Sequence, residues 1–155
     1  MTPAVNSAKK AKIEFKVHQY DHDNGHTSFG LEAAEKLLVE AERVFKTLVV
    51  KLDGQQLVVA ILPVSTLLSM KAVAKACGGR KAEMADKLEV QRSTGYVLGG
   101  VSPLGQKKSL KTVIDQSAQD YATIYVSGGR RGLEIELNAL DLQNLTLATF
   151  APLTQ

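Results

Sequence analysis

The stretch from Val44 to Pro63 constrains the fold more than any other part of the chain. Val44 to Leu52 and Gln55 to Pro63 are two β-rich arms around Asp53-Gly54. An Asp-Gly pair accepts the positive φ that a tight connection needs, so a β-hairpin is predicted here. Whatever else the chain builds must pack against it.

The flanking patterns mix helix and strand. Thr2 is suited to cap a helix that has Pro3 at its first position and Ala4, Val5, Ala8 and Ala11 along it, ending near Lys12. Ile13, Phe15 and Val17 alternate with Glu14, Lys16 and His18 up to Tyr20, the period-2 pattern of a strand with one wet face. After a loop over 21–27, Thr27 or Ser28 can cap a helix from about Leu31 to Val39, its inner side formed by Ala33, Ala34, Leu37 and Leu38. A helix is predicted over Leu68–Cys77, stopped by Gly78-Gly79, with Cys77 on its apolar stripe, and a short one over Asp86–Gln91. Strands are expected at Thr112–Ile114, Ala122–Ser127, Leu133–Leu137 and Ala148–Ala151, with a last helix starting at Asn138 or Asp141 and ending near Leu145. With no strict βαβ rhythm and no internal repeat, the expectation is one α+β domain over 1–155, built on a mixed, mainly antiparallel, barrel-like sheet.

Composition narrows the function classes. At 155 residues and 45% hydrophobic content the chain is suited to one ordinary core, without disulfide or metal staples. Cys77 is the single cysteine, and Met1-Thr2-Pro3 runs into Lys9, Lys10 and Lys12 with no apolar signal core, so a reducing, cytoplasmic setting is expected. The most apolar run, Leu57 to Leu68, contains Pro63 and is far short of the ~20 residues that cross a bilayer. With four Tyr, four Phe and no Trp, a broad base-stacking RNA platform is disfavoured.

The formal charge of +3 is unevenly spread. Residues 92–131 hold six basic and two acidic side chains, whereas 132–155 hold three acids and no base. The basic stretch, with Arg92, Lys107, Lys108, Lys111, Arg130 and Arg131, is also glycine-rich (Gly95, Gly99, Gly100, Gly105, Gly128, Gly129). Glycine lets backbone approach a ligand, so this combination suits a polyanion better than scattered surface charge does.

Several familiar chemistries fail on detail. Gly100-Val101-Ser102-Pro103-Leu104-Gly105-Gln106-Lys107 comes close to a phosphate-binding loop, but Gln106 separates the last glycine from the lysine and a strand is expected where a helix is required, so the match fails. His18, His22 and His26 with Asp21 and Asp23 read as turn polars rather than metal ligands, since His18 and His22 straddle a strand end. Cys77 has no activating neighbour, and no nucleophile elbow is present. Lys46, within Val44-Phe45-Lys46-Thr47-Leu48, reads by itself as an outward-facing strand lysine.

Six blocks in order change that reading: Met1-Thr2-Pro3-Ala4-Val5, Phe45-Lys46-Thr47-Leu48, Glu83-Met84-Ala85-Asp86, Gln91-Arg92-Ser93-Thr94-Gly95-Tyr96, the run from Gly99 to Lys108, and Tyr125-Val126-Ser127-Gly128-Gly129. Through them the chain resembles, nearly end to end, the YbaK/EbsC family of cysteinyl-tRNA(Pro) deacylases, freestanding relatives of the editing domain of bacterial prolyl-tRNA synthetases. The resemblance implies a mixed α/β, barrel-like fold and trans-editing hydrolysis of the ester on Cys-tRNA(Pro), or also Cys-tRNA(Cys). It implies prolyl-tRNA synthetase as partner, and no cofactor, metal, membrane or DNA is expected. The family's essential lysine falls on Lys46, and its other pocket positions on Tyr20, Phe29, Thr47, Gly99 and Ser127. One that is usually aspartate falls on Glu134, which leaves the amino-acid preference open; an alanine-directed deacylase and a silent tRNA- or synthetase-binding module stand as alternatives.

An aminoacyl ester is already activated, so such a pocket must mainly position it. In the family picture the substrate's own thiol attacks the ester carbonyl. Backbone N–H groups around Gly99, Gly100, Ser127 and Gly128 are expected to face the carbonyl oxygen, with Lys46 anchoring the terminal ribose–phosphate. Lys107, Lys108, Lys111, Arg130 and Arg131 are expected to contact phosphates without reading bases.

Overall fold

The computed structural model describes residues 1–23 and 29–155. Among the described residues, five α-helices surround eight strands that form two sheets. The predicted hairpin is present: β2 (Phe45–Leu52) and β3 (Gln56–Pro63) pair antiparallel, from Phe45–Pro63 to Leu52–Gln56. Asp53 and Gly54 both take positive φ, and the Asp53 carboxylate accepts the N–H groups of Arg80 and Lys81, which ties the turn to the next segment.

The hairpin is the centre of a five-stranded sheet of order β4-β2-β3-β5-β8, where β4 is Ala82–Met84, β5 is Lys111–Asp115 and β8 is Thr149–Ala151. β3–β5 and β5–β8 are parallel and the other pairs antiparallel. A three-stranded antiparallel sheet, β1 (Phe15–Gln19), β7 (Leu133–Leu137) and β6 (Ile124–Ser127), meets the first at a bridge between Val44 and Tyr125. The sheets are mixed and mainly antiparallel as expected, but they do not close into a continuous barrel.

Burial follows from this layering. Phe45, Val49, Val59 and Ile61 on one face of the hairpin pack with Ile124, Val126, Ile135 and Leu137 of the small sheet and with α1 (Pro3–Ala11) and α5 (Ala139–Thr146). The other face, with Val50, Val58, Ala60 and Leu62, is covered by α3 (Met70–Ala76). A third cluster, Ala33, Ala34, Val44, Val64 and Tyr125, lies beneath α2 (Phe29–Leu37).

Caps set most helix ends. Thr2 accepts the N–H of Val5, Ser69 that of Ala72, Asp86 those of Leu88 and Glu89, and Asn138 that of Leu140. α4 (Lys87–Thr94) runs one turn beyond its predicted end, to Gly95 in the left-handed region. Leu38, predicted to face inward, is 91% exposed because the chain turns to positive φ there and leaves the helix. The predicted caps Thr27 and Ser28, and His26, lie outside the described residues. β4 was not anticipated; three residues pairing along one edge of β2 leave too short a pattern to read. Among the described residues no helix is long and apolar enough to cross a membrane.

Candidate active site

Stretches remote from one another in sequence converge on a cavity of about 300 Å³ at the end of the hairpin next to Val64. β2 contributes Lys46 and Thr47, the end of the first strand Tyr20, the start of α2 Phe29, and the small sheet Ser127 and Glu134. Leu98 and Gly99 from the loop after α4, with Arg131 from the β6–β7 turn, complete the wall. The seven positions implied by the resemblance thus line one cavity although they lie up to 114 residues apart, from Tyr20 to Glu134.

Backbone packing explains how. Gly99 has φ +88, and a Cβ there would lie 2.8 Å from the Phe29 ring and 3.3 Å from the Arg131 stem. A Cβ on Gly100 would stand 2.9 Å from Cα of Arg130, so the two glycine-rich blocks rest directly on one another. Gly132, φ +85, leaves room for the carbonyl of Tyr20, whose own N–H donates to the Gly132 carbonyl at 2.9 Å. Next to Phe29, a Cβ on Gly30 would overlap Val64 Cγ1 at 2.2 Å, which sets how closely α2 sits on the end of β3.

Each polar group has a distinct setting. Lys46 is half-buried, its Nζ donates to the Thr66 carbonyl at 2.6 Å, and burial lowers its pKa. Glu134 is buried in register between Ser127 and His18, and burial pushes its carboxyl up to about 8, so it is largely neutral at pH 7. Tyr20 is raised by burial first and by Glu134 second. Thr47 Oγ1 is buried with no hydrogen-bond partner among the described residues. Ser127 Oγ accepts the N–H of Gly129 at 3.1 Å, which leaves its own O–H to donate. Neither cysteine nor histidine lines the cavity among the described residues.

Other predicted residues lie differently. The Gly100 N–H donates to the Val97 carbonyl at 2.9 Å and the Gly128 N–H to that of Leu133 at 2.8 Å, so both amides are committed to their own turns. The Gly128 carbonyl accepts the Thr2 hydroxyl, joining the cap of α1 to the turn. The basic set is not one patch. Arg131 lines the cavity and Arg130 is exposed on the same turn, whereas Lys107 and Lys108 line a separate depression with Ser7 and Leu145. Lys111 opens β5 beside Val58, and its Nζ donates to the Cys77 carbonyl at 3.2 Å. Cys77 itself is packed in the cluster beneath α3, away from the cavity. His18 bonds Glu136 at 2.9 Å, and among the described residues no group of three or more His, Cys, Asp or Glu could hold a metal.

Glu32, fully buried on α2, was not among the expected site residues. Its signal was an acid three residues after Phe29 and next to the apolar Ala33-Ala34 pair.

This pocket on this fold defines a class. Residues 22–145 match the family model described as the aminoacyl-tRNA editing domain, and the chain belongs to that family. It is 37% identical over 153 residues to EbsC of Enterococcus faecalis, a proposed Cys-tRNA(Pro)/Cys-tRNA(Cys) deacylase, covering 99% of this chain and 93% of that one. It is also 24% identical over 96 residues to a proline–tRNA ligase of Brachyspira hyodysenteriae, covering 62% of this chain and 17% of the ligase. Among solved structures, a proposed trans-editing enzyme for prolyl-tRNA synthetase superposes with TM-score 0.86 at 22% identity, covering 99% of this chain and 95% of that one.

Proposed function

We propose that this protein is an aminoacyl-tRNA deacylase that removes cysteine from mischarged tRNA(Pro) in trans, using the thiol of its own substrate. The observation that carries this reading is a cavity rich in hydrogen-bonding groups yet without a cysteine or histidine among its described residues. Ser127 and Thr47 are its aliphatic hydroxyls, and among the described lining residues neither has a histidine to serve as its base.

The cysteine sulfur attacks its own ester carbonyl carbon, the bond to the ribose oxygen breaks, and the thiol proton ends on that oxygen. The resulting thioester is then opened by water. An intramolecular thiol held in the reactive shape gains effective molarities on the order of 10⁵–10⁸ M, so positioning supplies much of the barrier reduction. Lys46 places positive charge beside the ribose–phosphate and the developing oxyanion. Neutral Glu134 and the Ser127 hydroxyl donate hydrogen bonds to the carbonyl or ribose oxygen. With the Gly100 and Gly128 amides engaged elsewhere, any backbone contribution to the oxyanion falls to Gly99 and Ser127. Selectivity is chemical: a pocket separates substrates differing by one methylene by only ~1–3 kcal/mol, but serine and alanine lack the thiol altogether.

Single-turnover deacylation of tRNA(Pro) charged with cysteine, serine or alanine, with and without prolyl-tRNA synthetase, tests this. Cysteine should be released at least a hundredfold faster than serine, in Cys77→Ser as in the parent, and the synthetase should raise selectivity for tRNA(Pro). Equal rates for serine, or loss of activity in folded Cys77→Ser, would remove the substrate-thiol account. Faster release of alanine would instead favour an alanine-directed deacylase, and no release at all a binding module.

A further inference from the structure

We propose that Glu32 is a positioning residue of this pocket. From behind the wall it holds the Arg131 guanidinium on the face of Phe29, so that Arg131 presents fixed N–H donors to the phosphate on the 5′ side of the terminal adenosine. The inference rests on the deacylase reading for its ligand, but its geometry is independent of it.

Glu32 is 0% exposed and does not line the cavity, whereas Arg131 does. Glu32 Oε2 accepts the N–H of Asp23 at 2.7 Å, and Oε1 has no hydrogen-bond partner among the described residues. That oxygen lies 3.9 Å from Arg131 Nη2, in ion-pair range but too long for a hydrogen bond. The guanidinium carbon sits 3.9 Å from the Phe29 ring centroid. Gly99 packs against both the ring and the arginine stem, which removes the space into which the side chain could swing.

The dependence between the two side chains is mutual. An unpaired buried carboxylate is costly, so Glu32 needs the positive charge of Arg131 beside it. Arg131, in turn, keeps Nε and Nη2 buried and without partners among the described residues. With those two nitrogens covered, the quarter of the Arg131 side chain that stays exposed is what meets the cavity, and a guanidinium donor held there suits the oxygens of a phosphate. Glu32 turns a flexible arginine into a fixed one, which lowers the ordering cost of binding.

The probes are AMP and adenosine, which differ by that phosphate and require no hydrolysis. The parent protein should bind AMP about tenfold more tightly than adenosine. Glu32→Gln, which retains the bond to Asp23, should reduce this preference to within about twofold. Arg131→Lys, which keeps the charge but not the fork, should do the same, and the double variant should add little, since both changes break one unit. On aminoacyl-tRNA the loss should fall on KM more than kcat, and log KM should depend on log salt with a slope shallower by about 0.7, one phosphate's worth for a single strand. If Glu32→Gln lowers the melting temperature but leaves the AMP preference intact, Glu32 is structural only and the proposal fails. If Glu32→Gln does not fold, an unchanged preference in Arg131→Lys overturns it equally. Absence of hydrolysis by a parent protein that still prefers AMP would count against the deacylase reading and not against this one.

Discussion

Lys46 and Glu134 are two ionisable groups of the cavity that respond to burial in opposite ways. Burial disfavours charge, so the lysine is lowered and the glutamate is raised to about 8. Lys46→Ala should cut deacylation by roughly two to three orders of magnitude, the usual effect of losing one oxyanion-stabilising donor, with little change in melting temperature because the side chain is only half-buried. Glu134 gives a pH signature. Between its ordinary value of 4.5 and about 8 the unfolded chain has released a proton that the folded chain retains. Stability from this group therefore falls as pH rises through that window and levels off above it. Glu134→Gln stays neutral throughout, so its melting temperature relative to the parent should increase from pH 5 to pH 8; parallel curves would mean that Glu134 is already ionised in the fold. Lys46 could be found from the sequence only through its neighbours, because a strand lysine by itself looks the same whether it faces solvent or a cavity. Glu32 carried only the weak signal of an acid beside two alanines, because Glu35 and Lys36 follow it and its burial is decided by how α2 packs.

The seating of α2 on the end of β3 is the element-level joint on which the wall depends. Gly30 approaches Val64 there more closely than any side chain could, and Phe29 and Glu32 lie on either side of it. Gly30→Ala should lift α2 off Val64, costing about 1–3 kcal/mol as overpacking does and weakening AMP and aminoacyl-tRNA binding together. Val64→Ala should recover part of both losses in the double variant by opening the space the new methyl needs. A Gly30→Ala variant with unchanged stability and binding would show that α2 adjusts freely, and that its position does not set the pocket. Most elements were legible because each carried a local device: the Asp53-Gly54 turn, the Thr2, Asp86 and Asn138 caps, and the glycines after Cys77. What escaped depended on partners remote in sequence. β4 exists by pairing with β2, and the parallel β3–β5–β8 run has no signature in any one of its strands.

At the scale of the whole molecule, the basic segment is divided by the fold into sites with different prospects. Contiguity in sequence suggested one phosphate-facing stretch, but the chain enters β5 at Lys111 and carries that residue to the Cys77 carbonyl, while Arg131 is brought to the cavity from the other sheet. Lys107 and Lys108 remain exposed, fixed by backbone bonds from their N–H groups to the carbonyls of Thr94 and Ser93. An acceptor stem whose end occupies the cavity would have to pass over such a surface for these lysines to matter. Their contribution would be long-range and screened, unlike the fixed position of Arg131. Lys107→Glu with Lys108→Glu should therefore weaken tRNA binding several-fold at low salt and progressively less as salt rises. The slope of log affinity against log salt should flatten by about 0.9 for each phosphate no longer neutralised. The AMP preference should stay unaffected, because a single nucleotide does not reach beyond the cavity. Unchanged tRNA affinity across the salt series would remove Lys107 and Lys108 from the path and leave the Arg130–Arg131 turn as the surface over which the phosphate backbone enters.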